Sequence, residues 1–247
     1  MITDWHFYAF AIPAVFLMGL GKSGFGAGFG ALAVPLMAMT ITVPQAAAIL
    51  MPLLFVMDVM GLAAFRKDFD RTLFKFLLPS GLIGIVIGTF LFKYLQANVV
   101  AGIVGGVTLL FLAQRFLFPP RADASPPPRW VGRLLVTVSG FTSFVAHAGG
   151  PPYNAYMIPL KLKPIVYTAT AAYFFFVINL SKWIPYAYLG LLDMRNFYTA
   201  MVLMPIAPLG VWAGIKLARN MQPTLFYRIV YIGMFCTGCK LLWDGFH

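Results

Sequence analysis

The sequence predicts an all-α polytopic membrane protein, from its composition, the lengths of its apolar runs and a pattern that recurs in both halves. Hydrophobic residues make up 61% of the 247 residues and charged residues only 10%, whereas soluble domains carry about a quarter charged residues. The mean hydropathy is +0.85. A soluble fold of this length would have to expose too much apolar surface to water, so lipid is the expected solvent.

Six apolar runs are long enough to cross a bilayer, since one crossing takes about 20 apolar residues. They lie at 44–65, 72–92, 97–118, 164–190, 194–217 and 223–243. Two further regions, 5–42 and 130–160, are apolar but interrupted by GKSGFGAGFG (21–30) and HAGGPPYN (147–154). The pieces beside each interruption have about 11–17 residues, short for a crossing. Each region is predicted to form a broken helix pair, either re-entrant or a steep hairpin.

The chain repeats itself across a central linker, PPRADASPPPR (119–129), whose proline and polar residues prevent it from spanning. LLPSGLIGIVIGTFLFK (77–93) resembles LMPIAPLGVWAGIKLAR (203–219). The matched positions, at an offset of 126, are Pro79 and Pro205, Gly84 and Gly210, and Gly88 and Gly214. Interrupted segments at corresponding places in two halves point to a transporter binding site. We predict a first transmembrane repeat at 1–118 and a second at 130–247.

Lysine and arginine positions predict the orientation of the chain. If each broken pair returns to the side from which it came, twelve loop residues face one side and only Lys93, Arg195 and Lys240 face the other. If each broken pair crosses once, the split is ten against five. The first arrangement agrees better with the positive-inside rule and gives each repeat a broken pair plus three crossings. That odd number inverts the second repeat, with a cytoplasmic linker and periplasmic termini. Basic cytoplasmic loops also explain the net charge of +11, so this charge does not indicate nucleic-acid binding.

The first interruption carries a lysine within an apolar region. Its glycines also resemble a dinucleotide or P-loop motif, but those motifs need a soluble strand–turn–helix context. Irregular backbone inside a membrane must be buried or line a cavity, and a helix that begins after it would direct free N–H groups there. We predict an anion site with substrate-binding residues Lys22, Ser23, Gly24 and Gly26. The alternative is a glycine-rich helix crossing with Lys22 reaching toward the interface.

The second interruption offers hydrogen-bond donors of other kinds. Its predicted substrate-binding residues are His147, Gly149, Gly150, Tyr153 and Asn154. The two prolines at 151 and 152 suit the first turn of a helix. In an inverted repeat, this interruption meets the first near the middle of the membrane. The alternative for His147 is a helix-packing histidine whose hydrogen bonds are satisfied.

Three more polar residues, Asp58, Asn179 and Lys182, lie inside predicted crossings. Ionisable residues within a membrane are costly and usually functional. Asn179 and Lys182 are assigned to the predicted anion site, and Asp58 and His147 to proton coupling. The alternative for Asp58 is an ion pair with Lys22 or Lys182.

An intramembrane enzyme is not favoured. A metal site needs three or four ligands, and the chain has only three histidines and no glutamate. We therefore expect no catalytic residue, no metal and no cofactor.

Both interruptions resemble a known family. GLGKSGFGAGFGALAVPLM (19–37) and GFTSFVAHAGGPPYNAYMIPL (140–160) are similar to the two signatures of the TauE/SafE sulfite exporter family, also called the sulfonate uptake permease (TSUP) family. The resemblance covers nearly the whole chain. Positions that match the family pattern are Gly21, Lys22, Gly24, Gly28, His147, Gly149, Gly150 and Pro151. It implies a bacterial inner-membrane transporter of sulfite, sulfonates or related anions, without cofactor or ATPase domain.

The expected function is therefore a secondary transporter of small sulfur-containing anions, coupled to protons. The alternative is a passive anion channel, which would not accumulate substrate against a gradient. The expected partners are a small anion and the lipid bilayer, with a homodimer as the one protein partner considered.

Overall fold

A computed structural model describes residues 2–24, 30–92, 94, 96–117 and 126–246. Within these ranges the chain forms eleven α-helices and two 3₁₀ turns, and no strand. The helices are α1 (Trp5–Gly24), α2 (Ala33–Met37), α3 (Val43–Phe65), α4 (Arg71–Leu91), α5 (Ala97–Leu117), α6 (Arg129–Ala146), α7 (Gly150–Met157), α8 (Pro164–Tyr188), α9 (Met194–Leu203), α10 (Ile206–Asn220) and α11 (Pro223–Phe246). The prediction of an all-helical protein is confirmed.

Four helices in the described part of the chain are long and apolar enough to cross a membrane: α3, α4, α8 and the Tyr227–Phe246 part of α11. Helices α9 and α10 provide a fifth crossing if they are taken together, although they are bent by 52°. Large apolar side chains cover the outer surface, with Phe90 75% and Ile184 80% exposed. These side chains require a lipid environment, so the protein is a multi-pass membrane protein.

The predicted run 194–217 is not one straight helix. Helix α9 ends at Leu203 and α10 begins at Ile206. Pro205 lies between them, and a proline lacks the N–H that would continue the helical hydrogen bonds. The bend therefore has a local cause that the hydropathy of the run does not reveal.

The first interruption starts later than predicted. Helix α1 has 20 residues and continues through Gly24, a length of about 30 Å at 1.5 Å per residue. The expectation of a short helix that ends before position 21 was therefore wrong. Residues 25–29 lie outside the described residues, and the chain resumes with a 3₁₀ turn at Gly30–Leu32 followed by α2.

The second interruption is shorter than predicted. Helix α6 ends at Ala146, His147 has a left-handed backbone with a φ of 51°, and α7 begins at Gly150. Residues 150–154 are helical because Pro151 and Pro152 occupy the first turn of α7, where no intrahelical N–H is needed. The interruption thus covers 147–149 instead of 147–154.

Helices from the two halves pack on each other in matching pairs. Helix α1 contacts α10, and α4 contacts α6; α3 contacts α8, and α5 contacts α11. Glycines permit the first two contacts. A Cβ atom on Gly210 would lie 2.5 Å from the carbonyl oxygen of Phe16, and one on Gly84 would lie 2.0 Å from that of Thr137. Two structurally related halves would pack in this way, with each helix of the first half against a helix of the second. The repeat and its inversion stay predictions.

Hydrogen bonds define the two ends of the helix bundle. At one end, an Arg219 guanidinium N–H donates to the Ala64 carbonyl oxygen at 2.6 Å, and the Tyr227 hydroxyl donates to the Leu162 carbonyl oxygen at 2.6 Å. This end therefore gathers the C-terminal ends of α3 and α10 and the N-terminal ends of α8 and α11. Several of the basic residues that the sequence assigned to one side lie here, and we call it the basic end.

The opposite end is made of other segments. The Ile2 backbone N–H donates to the Thr199 hydroxyl at 3.0 Å, and the Gln45 amide donates to the Asn196 side-chain oxygen at 3.3 Å. The N-terminal ends of α3 and α9 thus lie together with the start of the chain. The structure contains no membrane, so which end faces the cytoplasm stays a prediction.

Candidate functional site

A small cavity lies where α1, α6, α7 and α8 meet. Its volume is about 30 Å³, and its lining residues are Met18, Lys22, Gly30, Leu54, Ser143, His147, Gly150, Phe175 and Asn179. Helix α8 runs from Pro164 to Tyr188, so Asn179 lies within about one helical turn of its middle. The cavity is therefore near the middle of a predicted crossing.

An ion pair joins two helices of the first half beside this cavity. Lys22, in the last turn of α1, contacts one carboxylate oxygen of Asp58 on α3 through its Nζ atom. The Asn179 amide donates to the other carboxylate oxygen at 2.7 Å. Asp58 is buried, and both of its oxygens are engaged. The structure thus contains the ion pair with Lys22, and the role of Asp58 in proton coupling stays a prediction.

Lys182 is fully buried but does not line the cavity. Its Nζ atom lies 2.9 Å from the Ser143 carbonyl oxygen, 3.0 Å from the Ser143 hydroxyl and 2.9 Å from His147 Nδ1. Three ammonium protons thus have three partners. The Ser143 carbonyl belongs to the last turn of α6, and a cation stabilises that negative end of the helix dipole. Lys182 therefore holds the end of α6 in place beside the cavity.

His147 connects the cavity to α3. Its Nε2 atom lies 3.0 Å from the Ala47 carbonyl oxygen, which can only accept, so Nε2 carries a proton. Its Nδ1 atom faces the Lys182 Nζ atom, and one proton lies between these two nitrogens. The histidine is therefore hydrogen-bonded on both sides, as its helix-packing interpretation requires, and it also lines the cavity.

The glycines of the second interruption have different surroundings. Gly150 lines the cavity. Gly149 does not, and a Cβ atom at this position would lie 2.7 Å from the Ser139 carbonyl oxygen and 2.8 Å from Ser143 Cβ. Gly149 thus permits the close approach of α6 to the start of α7.

The remaining predicted residues of the first interruption lie off the cavity lining or outside the described residues. Ser23 is buried, and its hydroxyl has no hydrogen-bond partner among the described residues. Gly24 is the last residue of α1, and Gly26 lies outside the described residues.

Tyr153 and Asn154 are not part of the cavity lining either. The Tyr153 ring packs against those of Phe174 and Phe175, each with a centroid distance of 5.1 Å. The Asn154 side-chain oxygen accepts a hydrogen bond from the Tyr167 hydroxyl. The structure therefore separates these two residues from the group around Lys22.

Sequence reasoning did not find Ser143 and Phe175, which also line the cavity. Ser143 lies in the last turn of α6, four residues before His147, so the two residues are close together at the end of that helix. That spacing was a usable signal once the interruption was assigned. Phe175 belongs to a run of three phenylalanines and carries no signal that sets it apart from its neighbours.

The charges of this region do not balance. With both lysines protonated and Asp58 ionised, Lys22 and Lys182 carry two positive charges against one negative charge, and no second carboxylate among the described residues pairs with either lysine. An uncompensated buried charge is costly. A bound anion in the cavity would supply the missing negative charge.

Membrane-length helices around a polar cavity near the middle of a predicted crossing are typical of one class of protein, the polytopic membrane transporters. The family model for the sulfite exporter TauE/SafE matches residues 11–241, and the chain belongs to that family. The family membership confirms the resemblance read from the two glycine-rich segments. The chain is thus a membrane transporter of the sulfite-exporter family and not an enzyme. Searches of curated proteins and of solved structures gave no match.

Proposed function

We propose that this chain is a secondary transporter that binds a compact sulfur oxyanion, sulfite in the first place, in the cavity beside Lys22 and His147. The observation that carries the proposal is that two lysines, Lys182 with 0% and Lys22 with 10% of its side chain exposed, face a single buried aspartate. An anion is the ligand that this excess positive charge favours, and the family transports anions of this kind.

The size of the cavity favours a compact anion. Its volume is about 30 Å³, and each water molecule needs roughly 10–15 Å³ on this scale. The space thus suits a ligand about as large as two or three water molecules. Sulfite meets this limit better than an organosulfonate with an extended carbon chain.

Five polar groups would surround the anion. They are the Lys22 ammonium, the Ser143 hydroxyl, the His147 imidazole, the Asn179 amide and the backbone of Gly150. Lys22 and Asn179 also contact Asp58, so the anion competes with the Asp58 carboxylate for the same two donors. Binding therefore weakens the stabilisation of a negative charge on Asp58.

This competition supports proton coupling. The two lysines and Asp58 together carry one positive charge, so a singly charged anion neutralises the region. A dianion leaves one negative charge, and neutrality is restored by a proton on Asp58, or on His147 Nδ1 once its contact with Lys182 is broken. Because buried net charge is costly, the dianion and a proton would bind together. A passive channel, the alternative, has no such requirement.

The proposed location is the bacterial inner membrane. In this arrangement 1–118 and 130–247 are inverted repeats, and the linker at 119–129 is cytoplasmic. Basic residues gathered at one end of the bundle support this orientation, because cytoplasmic loops are enriched in lysine and arginine. Both termini are then periplasmic.

Sulfite flux into proteoliposomes under an imposed pH gradient tests the function. We expect accumulation above the equilibrium level with a proton gradient and none without it. Lys22→Ala should weaken sulfite binding by about 10–100-fold, the range for losing a charged hydrogen bond of about 1.5–3 kcal/mol. Lys75→Ala removes an exposed lysine of α4 and serves as the control.

Equal uptake by Lys22→Ala and wild type would exclude the proposed role of Lys22. Sulfite flux that only follows its own gradient, whatever the pH difference, would favour the channel.

A further inference from the structure

Two neighbouring residues of α7 each bury a polar atom that has no hydrogen-bond partner among the described residues. These atoms are the Tyr153 hydroxyl and the Asn154 side-chain nitrogen, and both side chains are 0% exposed. Buried polar groups are nearly always hydrogen-bonded, and an unpaired one often marks the place of a water molecule or an ion. A water molecule or an ion is therefore expected beside these two atoms.

Tyr167 determines what kind of occupant fits. Its hydroxyl donates to the Asn154 side-chain oxygen, so the acceptor end of the amide is used and the two N–H donors remain open. The open hydrogen-bonding capacity thus consists of amide N–H groups and one hydroxyl, which are neutral donors suited to an anion.

The position of these residues follows from the helices that carry them. Tyr153 and Asn154 come three and four residues after Gly150, so they continue the same face of α7 one turn beyond the cavity. On α8, Tyr167 precedes Asn179 by twelve residues, or about 18 Å along the axis. Tyr167 lies in the first turns of α8, at the basic end of the bundle. The group is therefore between the cavity and that end.

Phe175 stands between the cavity and this group. It lines the cavity, and its ring centroid is 5.1 Å from that of Tyr153. Its neighbour Phe174 contacts the Tyr153 ring at the same centroid distance but does not line the cavity. Of the two phenylalanines, only Phe175 has the cavity on one side and Tyr153 on the other.

We infer that Tyr153, Asn154 and Tyr167 form a second binding site for the transported anion, and that the Phe175 side chain is the barrier between this site and the central cavity. The identity of the anion rests on the proposed function. In this arrangement the anion leaves the charged cavity, passes Phe175, and is held by neutral donors before it reaches the basic end. Weaker, neutral binding at the second site would allow release.

The barrier is tested by cysteine accessibility, which does not depend on transport. The two native cysteines, Cys236 and Cys239, are exposed and are replaced by serine, and Asn154→Cys is added. A small anionic methanethiosulfonate reagent is then applied to membrane vesicles from either side. We expect modification from the basic end only.

Removing the barrier should change this result. Phe175→Ala should raise the modification rate from the opposite end by about tenfold, which corresponds to a barrier lowered by about 1.4 kcal/mol. Phe174→Ala is the matched control and should leave the rate unchanged. An unchanged rate in Phe175→Ala, or an equal increase in Phe174→Ala, would overturn the barrier.

The second site is tested by flux. Tyr153→Phe keeps the ring packing and removes only the hydroxyl, so it should slow sulfite flux by about tenfold without changing sulfite binding in the central cavity. Tyr186→Phe, which removes a buried hydroxyl bonded to the Phe144 carbonyl oxygen, is the control. Unchanged flux in Tyr153→Phe would refute the second site.

Failure of the proposed function gives a different result. A wild-type protein that transports no sulfite would refute the proposed function, and the labelling experiment would still report on the barrier.

Discussion

Lys22 of α1 and Asp58 of α3 form an ion pair inside the helix bundle, and Asn179 of α8 binds the second oxygen of the same carboxylate. The pair comes from the first half of the chain and its amide partner from the second. His147 and Lys182, also from the second half, complete the polar region. The candidate site therefore exists only when the two halves pack together, and its charges can be separated by mutation.

The ion pair should make single and double variants differ in a defined way. Lys22→Met leaves the Asp58 carboxylate buried without its cation, and Asp58→Asn leaves the lysine without its anion. Each should lower the free energy of unfolding by about 3–5 kcal/mol, the usual cost of breaking a buried pair. The double variant Lys22→Met/Asp58→Asn should recover most of that loss. Denaturant titration in detergent micelles measures all three.

A double variant as unstable as the sum of the two single variants would show that the pair does not couple. Sulfite binding provides the complementary reading, because the double variant should stay folded and yet bind the anion poorly. Stability and binding are thereby separated in one protein.

Lys182 should respond differently from Lys22, although both lysines lie inside the helix bundle. Lys182→Met removes the excess positive charge and leaves no carboxylate unpaired, so the lost hydrogen bonds are partly offset. We expect a loss of unfolding free energy of only about 1 kcal/mol, against about 3–5 kcal/mol for Lys22→Met. Sulfite binding should weaken in both. Unfolding curves and sulfite titrations of the two variants check this contrast.

A Lys182→Met protein that unfolds as readily as Lys22→Met would contradict the charge argument. It would mean that the hydrogen bonds of Lys182 at the end of α6 stabilise the protein by more than its unpaired charge destabilises it. Lys75→Met, at an exposed position of α4, corrects for the general effect of losing a lysine.

The helices were largely predictable because hydropathy and the width of the bilayer determine them. The runs at 44–65 and 72–92 became α3 and α4 with ends shifted by at most one residue. The ends inside the membrane were harder to predict, since they depend on distant contacts. Helix α6 stops beside Lys182, which is 39 residues away from Ser143 in the chain, and no local pattern reveals such a partner.

The candidate site was only partly predictable for the same reason. Lys22, Asp58 and Lys182 were found because charges are rare in apolar helices. Tyr153 and Asn154 were assigned to the same site as Lys22 because the interruption was expected to reach position 154. Helix α7 instead begins at Gly150 and carries both side chains one turn away from the cavity.

The orientation of the chain yields a labelling prediction. If the linker is cytoplasmic, Pro126→Cys should react with an impermeant thiol reagent only from the cytoplasmic side. Tyr188→Cys, at the end of α8 where Tyr188 is 81% exposed, should react only from the periplasmic side. The Cys236→Ser/Cys239→Ser background removes the two native thiols. Reaction of both positions from one side would refute the proposed topology.

Glycine contacts between the halves yield the last prediction. A Cβ atom on Gly84 would lie 2.0 Å from the Thr137 carbonyl oxygen, and one on Gly210 would lie 2.5 Å from the Phe16 carbonyl oxygen. Both neighbours are backbone atoms that cannot turn aside, so α4 must move from α6, or α10 from α1. We expect Gly84→Ala and Gly210→Ala each to lower the free energy of unfolding by about 1–3 kcal/mol, as overpacking does.

Gly106 provides the control, because a Cβ atom at this position would meet only Leu242 Cδ1 at 3.9 Å. Gly106→Ala should therefore be neutral or gain up to about 1 kcal/mol from the better helix propensity of alanine. Unfolding titrations that rank Gly106→Ala with the other two would show that these crossings tolerate a side chain and do not hold the halves together.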